Sequence, residues 1–342
     1  MKAEWTPYTL DFRFLARTSR DSMREKETYF IRLVDEASGR QGIGECALFR
    51  GLSAEDSPRY VQELSEACTY QNRLSMNSSI RFGYESALTD MMPVEDNDFT
   101  RGESGIPING LIWMGDRNTM KQRIDEKLAA GFHILKLKIG GINFDDEVEL
   151  LKYIRSRFSD KDLELRLDAN GSFTPDDAMK RLERLSGYNI HSIEQPIKPK
   201  QWEAMARICH ESPIPIALDE ELIGVSNAID VKTTLETLRP SYIILKPSLC
   251  GGFSGADCWI DEAEKLGIGW WATSALESNV GLEAIARWLV RRNGSASFEL
   301  PQGLGTGQLY YNNVKSPLEL RGDQLFYNPD IKRIMPELQW RH

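Results

Sequence analysis

The chain has 342 residues, 41% of them hydrophobic and 27% charged, close to an ordinary globular composition. That excludes collagen, low-complexity and disulfide-scaffold classes, and the size suits one large α/β barrel with an accessory domain. A net charge of −9 disfavours nonspecific binding to nucleic acid or to an anionic membrane, but not an anionic small-molecule substrate, because a site can hold its own lysines and a metal. The oligomeric state stays open.

At the N-terminus, the first 20 residues carry Glu4 and Asp11 and no apolar core, so they do not read as a signal peptide. No apolar run reaches the roughly 20 residues of a bilayer span. The five cysteines are scattered without a CxxC pair, which reads as reduced thiols in a cytoplasmic protein. The four histidines form no zinc-like spacing.

Residues 1–105 are expected to form an α+β capping domain. ETYFIRLVDEASGRQGIGECAL reads as two strands around a polar turn at 37–40, and 57–74 and 79–92 read as helices. The segment 16–23, with Arg17 and Arg20, is either a movable lid or an ordinary charged hairpin. A polar stretch at 93–105 reads as a linker.

From 106 to 303 the rhythm becomes strand, helix, strand, helix. Strands are predicted at 106–115, 133–140, 163–170, 191–196, 215–220, 242–247, 267–275 and 296–303. Eight such strands can close a (β/α) barrel. Residues 304–342 add no further βα unit and are expected to pack back on the barrel or the cap.

Strand parity then separates two faces. Leu135, Leu137 and Ile139 oppose Lys136 and Lys138; Leu165, Leu167 and Ala169 oppose Arg166, Asp168 and Asn170. The apolar set must face the helices. Lys138, Asp168, Glu194, Asp219 and Lys246 therefore collect at the C-terminal mouth of the barrel, where barrel active sites are built.

Asp168, Glu194 and Asp219 end three adjacent strands, so their carboxylates can converge. Three like charges so close call for a cation, and oxygen donors alone select Mg²⁺, with Mn²⁺ as a substitute. Lys138 and Lys246 end strands on opposite sides and would flank a bound carboxylate. A lysine near a metal ion and another lysine is expected to have a lowered pKa, in general-base range. Lys136 either supplies that second charge or pairs with a carboxylate deeper in the barrel. The constellation suits proton abstraction α to a carboxylate through a metal-stabilised enediolate. Asn170 and Glu220 stand beside the ligand positions. Ser274 and Glu277 stand just past the seventh strand and either contact substrate or cap the next helix.

The motifs KLK at 136–138, LDAN at 167–170, EQP at 194–196, LDE at 218–220 and LKP at 245–247 make the chain resemble the enolase superfamily, muconate-lactonizing-enzyme subgroup. The resemblance implies a capping domain over a (β/α)7β-type TIM barrel. It implies Asp168, Glu194 and Asp219 as Mg²⁺ ligands and Lys138 and Lys246 as the acid/base pair, with Lys136 beside them. Glu221 departs from a pattern in which serine often follows the DE pair, but leaves Asp219 and Glu220 intact. TSALESNVGL at 273–282 and LPQGLGTGQLYYNN at 300–313 resemble the subgroup's menaquinone-pathway dehydratases. That branch implies a syn dehydration of a succinyl-bearing hydroxycyclohexadiene carboxylate, a dicarboxylate. Arg166, Ser274 and Arg20 are further candidates for substrate or supporting contacts. The competing reading within the superfamily is an N-acylamino-acid racemase or a dipeptide epimerase. The absence of an acidic residue in GLGTGQLYYNN argues against a cationic, dipeptide-like substrate.

Overall fold

The N-terminal strands alternate in the way a half-buried sheet requires, and one of them serves two cores. In the computed structural model, which describes residues 1–17, 22–72 and 76–341, β1 (Lys2–Arg17), β2 (Ser22–Val34) and β3 (Gln41–Cys46) form an antiparallel meander. A register shift between Asp11 and Ala16 interrupts the β1–β2 pairing. Before it, Ala3 and Trp5 pack with Tyr29, Ile31 and Leu33 against α1 (Tyr60–Tyr70) and α2 (Ser78–Asp90). Leu10, Phe12 and Ala16 instead pack with Trp113, Leu276 and Tyr310 from the barrel side. Glycines let α2 lie directly on β3: a Cβ at Gly44 would stand 1.9 Å from the Gly83 carbonyl oxygen.

Beyond β4 (Ile106–Pro107), seven strands form one parallel sheet in chain order: β5 (Gly110–Ile112), β6 (Ile134–Lys138), β7 (Glu164–Asp168), β8 (Ser192–Glu194), β9 (Ile216–Leu218), β10 (Tyr242–Leu245) and β11 (Gly269–Ala272). Their crossovers carry α3 (Arg117–Ala129), α4 (Phe144–Arg155), α5 (Pro175–Ser186), α6 (Trp202–Glu211), α7 (Ala228–Leu238) and α8 (Gly252–Lys265), and α9 (Asn279–Asn293) follows β11. Leu135, Leu137, Leu165, Leu167, Ile216, Leu218, Ile243 and Leu245 are buried in the main core with residues of these helices. The result is an α/β, TIM-like barrel with a separate antiparallel cap.

The predicted eighth strand, 296–303, shrinks to two parallel bridges, Ile108 with Gln302 and Thr273 with Gly303. They still close the ring, because β5 and β11 are its two free edges. The shortening has a chemical cause. Pro301 has no N–H to give a ladder. Next to it, the Gln302 side chain takes a backbone role, its Oε1 accepting from the Ala272 N–H at 2.8 Å.

After the barrel, β12 (Leu318–Arg321) and β13 (Gln324–Tyr327) form an antiparallel sheet with β4. Tyr310 bridges to Phe12 and Arg341 to Trp5, so the last segment also touches the cap. No helix among the described residues is long and apolar enough to cross a membrane.

Candidate active site

The barrel interior has two storeys. The lower one is aromatic and aliphatic: Ala217, Ile244 and Trp271 cluster there with Tyr242 and Leu300. The upper one is charged, because parallel pairing in register puts Lys138, Asp168 and Glu194 side by side at the ends of β6, β7 and β8. Asp219 directly follows β9, and Lys246 directly follows β10. β6 and β10 are the second and sixth strands of the ring, so Lys138 and Lys246 approach from opposite sides.

Three lysines meet three carboxylates in this storey. Asp168 Oδ2 accepts from Lys136 Nζ at 3.1 Å and from Lys138 Nζ at 3.0 Å. Lys136 also pairs with Glu194, and Lys246 with Asp219. Asp168, Glu194 and Asp219 are almost wholly buried, where an unpaired charge would be expensive. Burial works against the ionised form of Asp168, but Lys136, Lys138 and Lys246 outweigh it and hold its carboxyl well below the usual range. Glu194 goes the other way: burial and the neighbouring Asp168 charge push its pKa up. Burial also opposes the charge on Lys136 and Lys246, yet the surrounding carboxylates prevail and raise both ammonium pKa values.

Among the described residues, no three His, Cys, Asp or Glu side chains stand grouped around a common point that an ion could fill. Lys136 bridges Asp168 and Glu194, and Lys246 holds Asp219. The donor set nevertheless fits a hard dication. All three groups supply oxygen. Glu194 Oε1 is buried without a hydrogen-bond partner among the described residues. The repulsion that raises the Glu194 pKa is what a cation would relieve.

A cavity of about 500 Å³ lies between this storey and the cap. Lys136, Lys138, Asp168 and Lys246 line it; Glu194 and Asp219 are tied to it through their ion pairs with Lys136 and Lys246. Asn170 also lines it, held in a left-handed conformation with φ +45°. Its Oδ1 accepts from Lys138 Nζ at 2.8 Å and its Nδ2 donates to Glu220 Oε1 at 3.1 Å. Ser274 lines the cavity and donates to Glu277 Oε2 at 2.6 Å. Neither of these two caps the next helix, since Ser278 does so by accepting from the Val280 N–H. Glu221 turns away to accept from the Lys200 N–H and from Gln195 Nε2.

Arg166 is placed away from the substrate space. It shares the interior parity, but its guanidinium runs toward the lower storey, to Glu164 at 2.7 Å and the Pro301 carbonyl at 3.0 Å, with its central carbon 4.4 Å from the Trp271 ring centroid. It does not line the cavity. Arg20, and with it residues 18–21 of the segment 16–23, lie outside the described residues.

Sequence reasoning expects the cap to help close the site but does not single out Phe49, Lys26 or Trp113. Phe49 and Lys26 line the cavity, as does Trp113 just past β5. Lys26 sits in the run REKET, which reads as a solvated strand face, and only docking of the cap buries it.

Comparison with known proteins adds to this geometry. The family profile described as Enolase C-terminal domain-like matches residues 119–323. An o-succinylbenzoate synthase of Desulfotalea psychrophila is 43% identical over 369 aligned positions, covering 95% of this chain and 98% of that protein. The crystal structure of MenC from Desulfotalea psychrophila superposes with a TM-score of 0.79 at 41% identity, covering 95% of this chain and 99% of that one. The L-Ala-D/L-Glu epimerase of Bacillus subtilis has the same fold, with a TM-score of 0.81 at 19% identity over 98% of this chain and 100% of that one.

Proposed function

The chain belongs to the Enolase C-terminal domain-like family, and on that premise we propose that it is a dehydratase carrying out the o-succinylbenzoate synthase reaction. The substrate would be a succinyl-bearing hydroxycyclohexadiene carboxylate, which loses water and becomes aromatic. The observation that carries this reading is the pair Lys138 and Lys246 on opposite sides of one cavity beside buried carboxylates. Full-length similarity to an o-succinylbenzoate synthase narrows it from the family to the reaction.

Asp168, Glu194 and Asp219 would hold the Mg²⁺ ion, with Mn²⁺ able to replace it. Bound there, the ion would supply positive charge to the substrate's ring carboxylate and so acidify the carbon next to it. Lys138, oriented by Asn170 and Asp168, is the group that takes the α proton. It then carries that proton to the departing hydroxyl on the same face, which makes the elimination syn. Lys246 stays cationic on the opposite face and stabilises the negative charge that develops on the ring. Lys136 neutralises Asp168 and Glu194 from below.

The finer assignments go with this reading. Residues 106–303 form a (β/α)7β-type barrel, 1–105 the cap, and 304–342 a segment packed back on both. The reaction belongs to menaquinone biosynthesis in the cytoplasm, and the partner is a small dicarboxylate.

The test is an assay of the purified chain with Mg²⁺ on the cyclohexadiene, beside an N-succinyl amino acid. Formation of the aromatic product is expected. Racemisation of the amino acid without dehydration of the diene would replace this reading with an isomerase.

A further inference from the structure

Resting on that reading, we propose that Lys26, from the cap, binds the substrate's second carboxylate, the one at the end of its succinyl chain. The barrel lysines of the cavity are already engaged: Lys136 and Lys138 pair with Asp168, and Lys246 with Asp219. Arg50, also in the wall, is bound to Glu27 and Asp56. Lys26 differs from all of them. It is only 5% exposed, it lines the cavity, and its Nζ has no hydrogen-bond partner among the described residues.

A buried ammonium without a partner is costly unless something arrives to meet it. Two carboxylates lie within electrostatic range, Glu45 and Glu277, and both accept hydrogen bonds from other groups. Glu45 accepts from Thr28 Oγ1 at 2.8 Å, from the N–H and hydroxyl of Ser278 at 2.9 and 2.6 Å, and from the Gly281 N–H at 3.0 Å. Glu277 accepts from Ser248 and Ser274, both at 2.6 Å. Neither is hydrogen-bonded to Lys26. Burial pulls the Lys26 pKa down, and Glu45 and Glu277 oppose that pull.

The placement suits a substrate with two anionic ends. One end belongs with Lys138 and Lys246 at the barrel mouth. The other can reach the cap, whose β2 contributes Met23, Glu25, Lys26 and Glu27 to the wall. Lys26 is thus a positioning residue: it fixes the succinyl tail and so the ring's register against Lys138, without touching the reacting atoms.

The experiment uses the full chain with Mg²⁺ and two ligands, o-succinylbenzoate and the analogue whose side-chain carboxylate is a carboxamide. Titration calorimetry should find the amide weaker by roughly tenfold or more. In Lys26→Met that gap should close to within about twofold, and in Lys26→Arg part of it should return. For the cyclohexadiene, Lys26→Met should raise KM by about the same factor and lower kcat as well, since the ring loses its register against Lys138. A gap of unchanged size in Lys26→Met, or a fall in kcat at constant KM, would overturn the assignment. Should Lys26→Met fail to fold, the unmodified chain and Lys26→Arg decide: no acid-over-amide preference in either sinks it. Turnover by the unmodified chain is scored separately. A chain that dehydrates the diene yet shows no Lys26-dependent gap defeats this inference alone; one that neither turns over the diene nor binds the product defeats the reading beneath it.

Discussion

Replacing Asn170 separates what its backbone does from what its side chain does. The residue sits at φ +45°, and its amide holds Lys138 Nζ at 2.8 Å and Glu220 at 3.1 Å. Asn170→Ala removes both side-chain bonds and puts a Cβ residue without asparagine's local hydrogen bonding into the left-handed region, at a cost of about 1 kcal/mol. Asn170→Gly removes the same bonds without that backbone cost. A hydrogen bond to a charged group is worth about 1.5–3 kcal/mol. Lys138 would keep its contact with Asp168 at 3.0 Å, so the lower end applies, about tenfold in rate. Both variants should therefore lose about tenfold in kcat for the diene, followed by ultraviolet absorbance as the ring aromatises. Urea denaturation should rank wild type above Asn170→Gly, and Asn170→Gly above Asn170→Ala by about 1 kcal/mol. Unchanged kcat in Asn170→Ala would refute the claim that Asn170 orients the base. Recovery of kcat in Asn170→Gly alone would assign the effect to the backbone.

The two opposed lysines, Lys138 and Lys246, should part company. Lys138→Ala removes the proton carrier and is expected to abolish dehydration, whereas Lys246→Arg keeps a fixed cation and should retain measurable turnover; equal loss in two folded, Mg²⁺-binding variants would count against a one-base elimination. Chelation by EDTA should stop the reaction and Mg²⁺ or Mn²⁺ restore it, and Asp168→Asn should weaken Mg²⁺ binding in calorimetry. Undiminished turnover in a verified metal-free preparation would remove the ion from the scheme. His191, packed on Tyr242 at 5.0 Å, gives a pH prediction. Burial lowers its pKa against the pull of Glu164, so below about pH 6.5 the unfolded chain binds a proton that the folded chain refuses, and stability falls with pH at up to about 1.4 kcal/mol per unit. His191→Phe should flatten that slope between about pH 6.5 and 5, measured by melts in matched buffers; parallel slopes would show that the residue is not the cause.

The upper storey was legible because alternation along β6 and β7 places charged residues opposite leucines, and a strand buried against helices cannot turn the charged side outward. Parity fixes the face of a strand, however, and not where along the barrel axis a long side chain ends. Arg166 shows the difference: the same parity as Asp168 sends one residue to the cavity and the other down to Glu164 and Trp271. The eighth strand was overread for a related reason. An apolar run predicts burial, but here a proline and a glutamine side chain replace ladder hydrogen bonds with something shorter. Lys26 was not legible at all, since REKET has the composition of a wet edge and becomes a cavity wall only when two separate elements dock.

That docking is itself built from polar groups that the barrel would otherwise leave exposed. A helix N-terminus presents unsatisfied N–H groups and a partial positive charge. Two barrel helices receive a carboxylate from the cap at that position. Glu45 of β3 accepts from the Ser278 and Gly281 N–H groups at the start of α9. Glu85 of α2 accepts from the Phe253 N–H at 2.7 Å and the Ser254 N–H at 3.2 Å at the start of α8. In a (β/α) barrel these helix starts lie on the same face as the C-terminal ends of the strands. The bonds that anchor the cap are therefore made beside the cavity, and β3, pinned by Glu45, is hydrogen-bonded to the β2 that carries Lys26. Position 26 is thereby held relative to Lys138 by backbone ladders and charge-assisted bonds instead of by a free loop, which is the rigidity that a tail-binding residue needs if it is to set the register of a ring at the other end of the cavity.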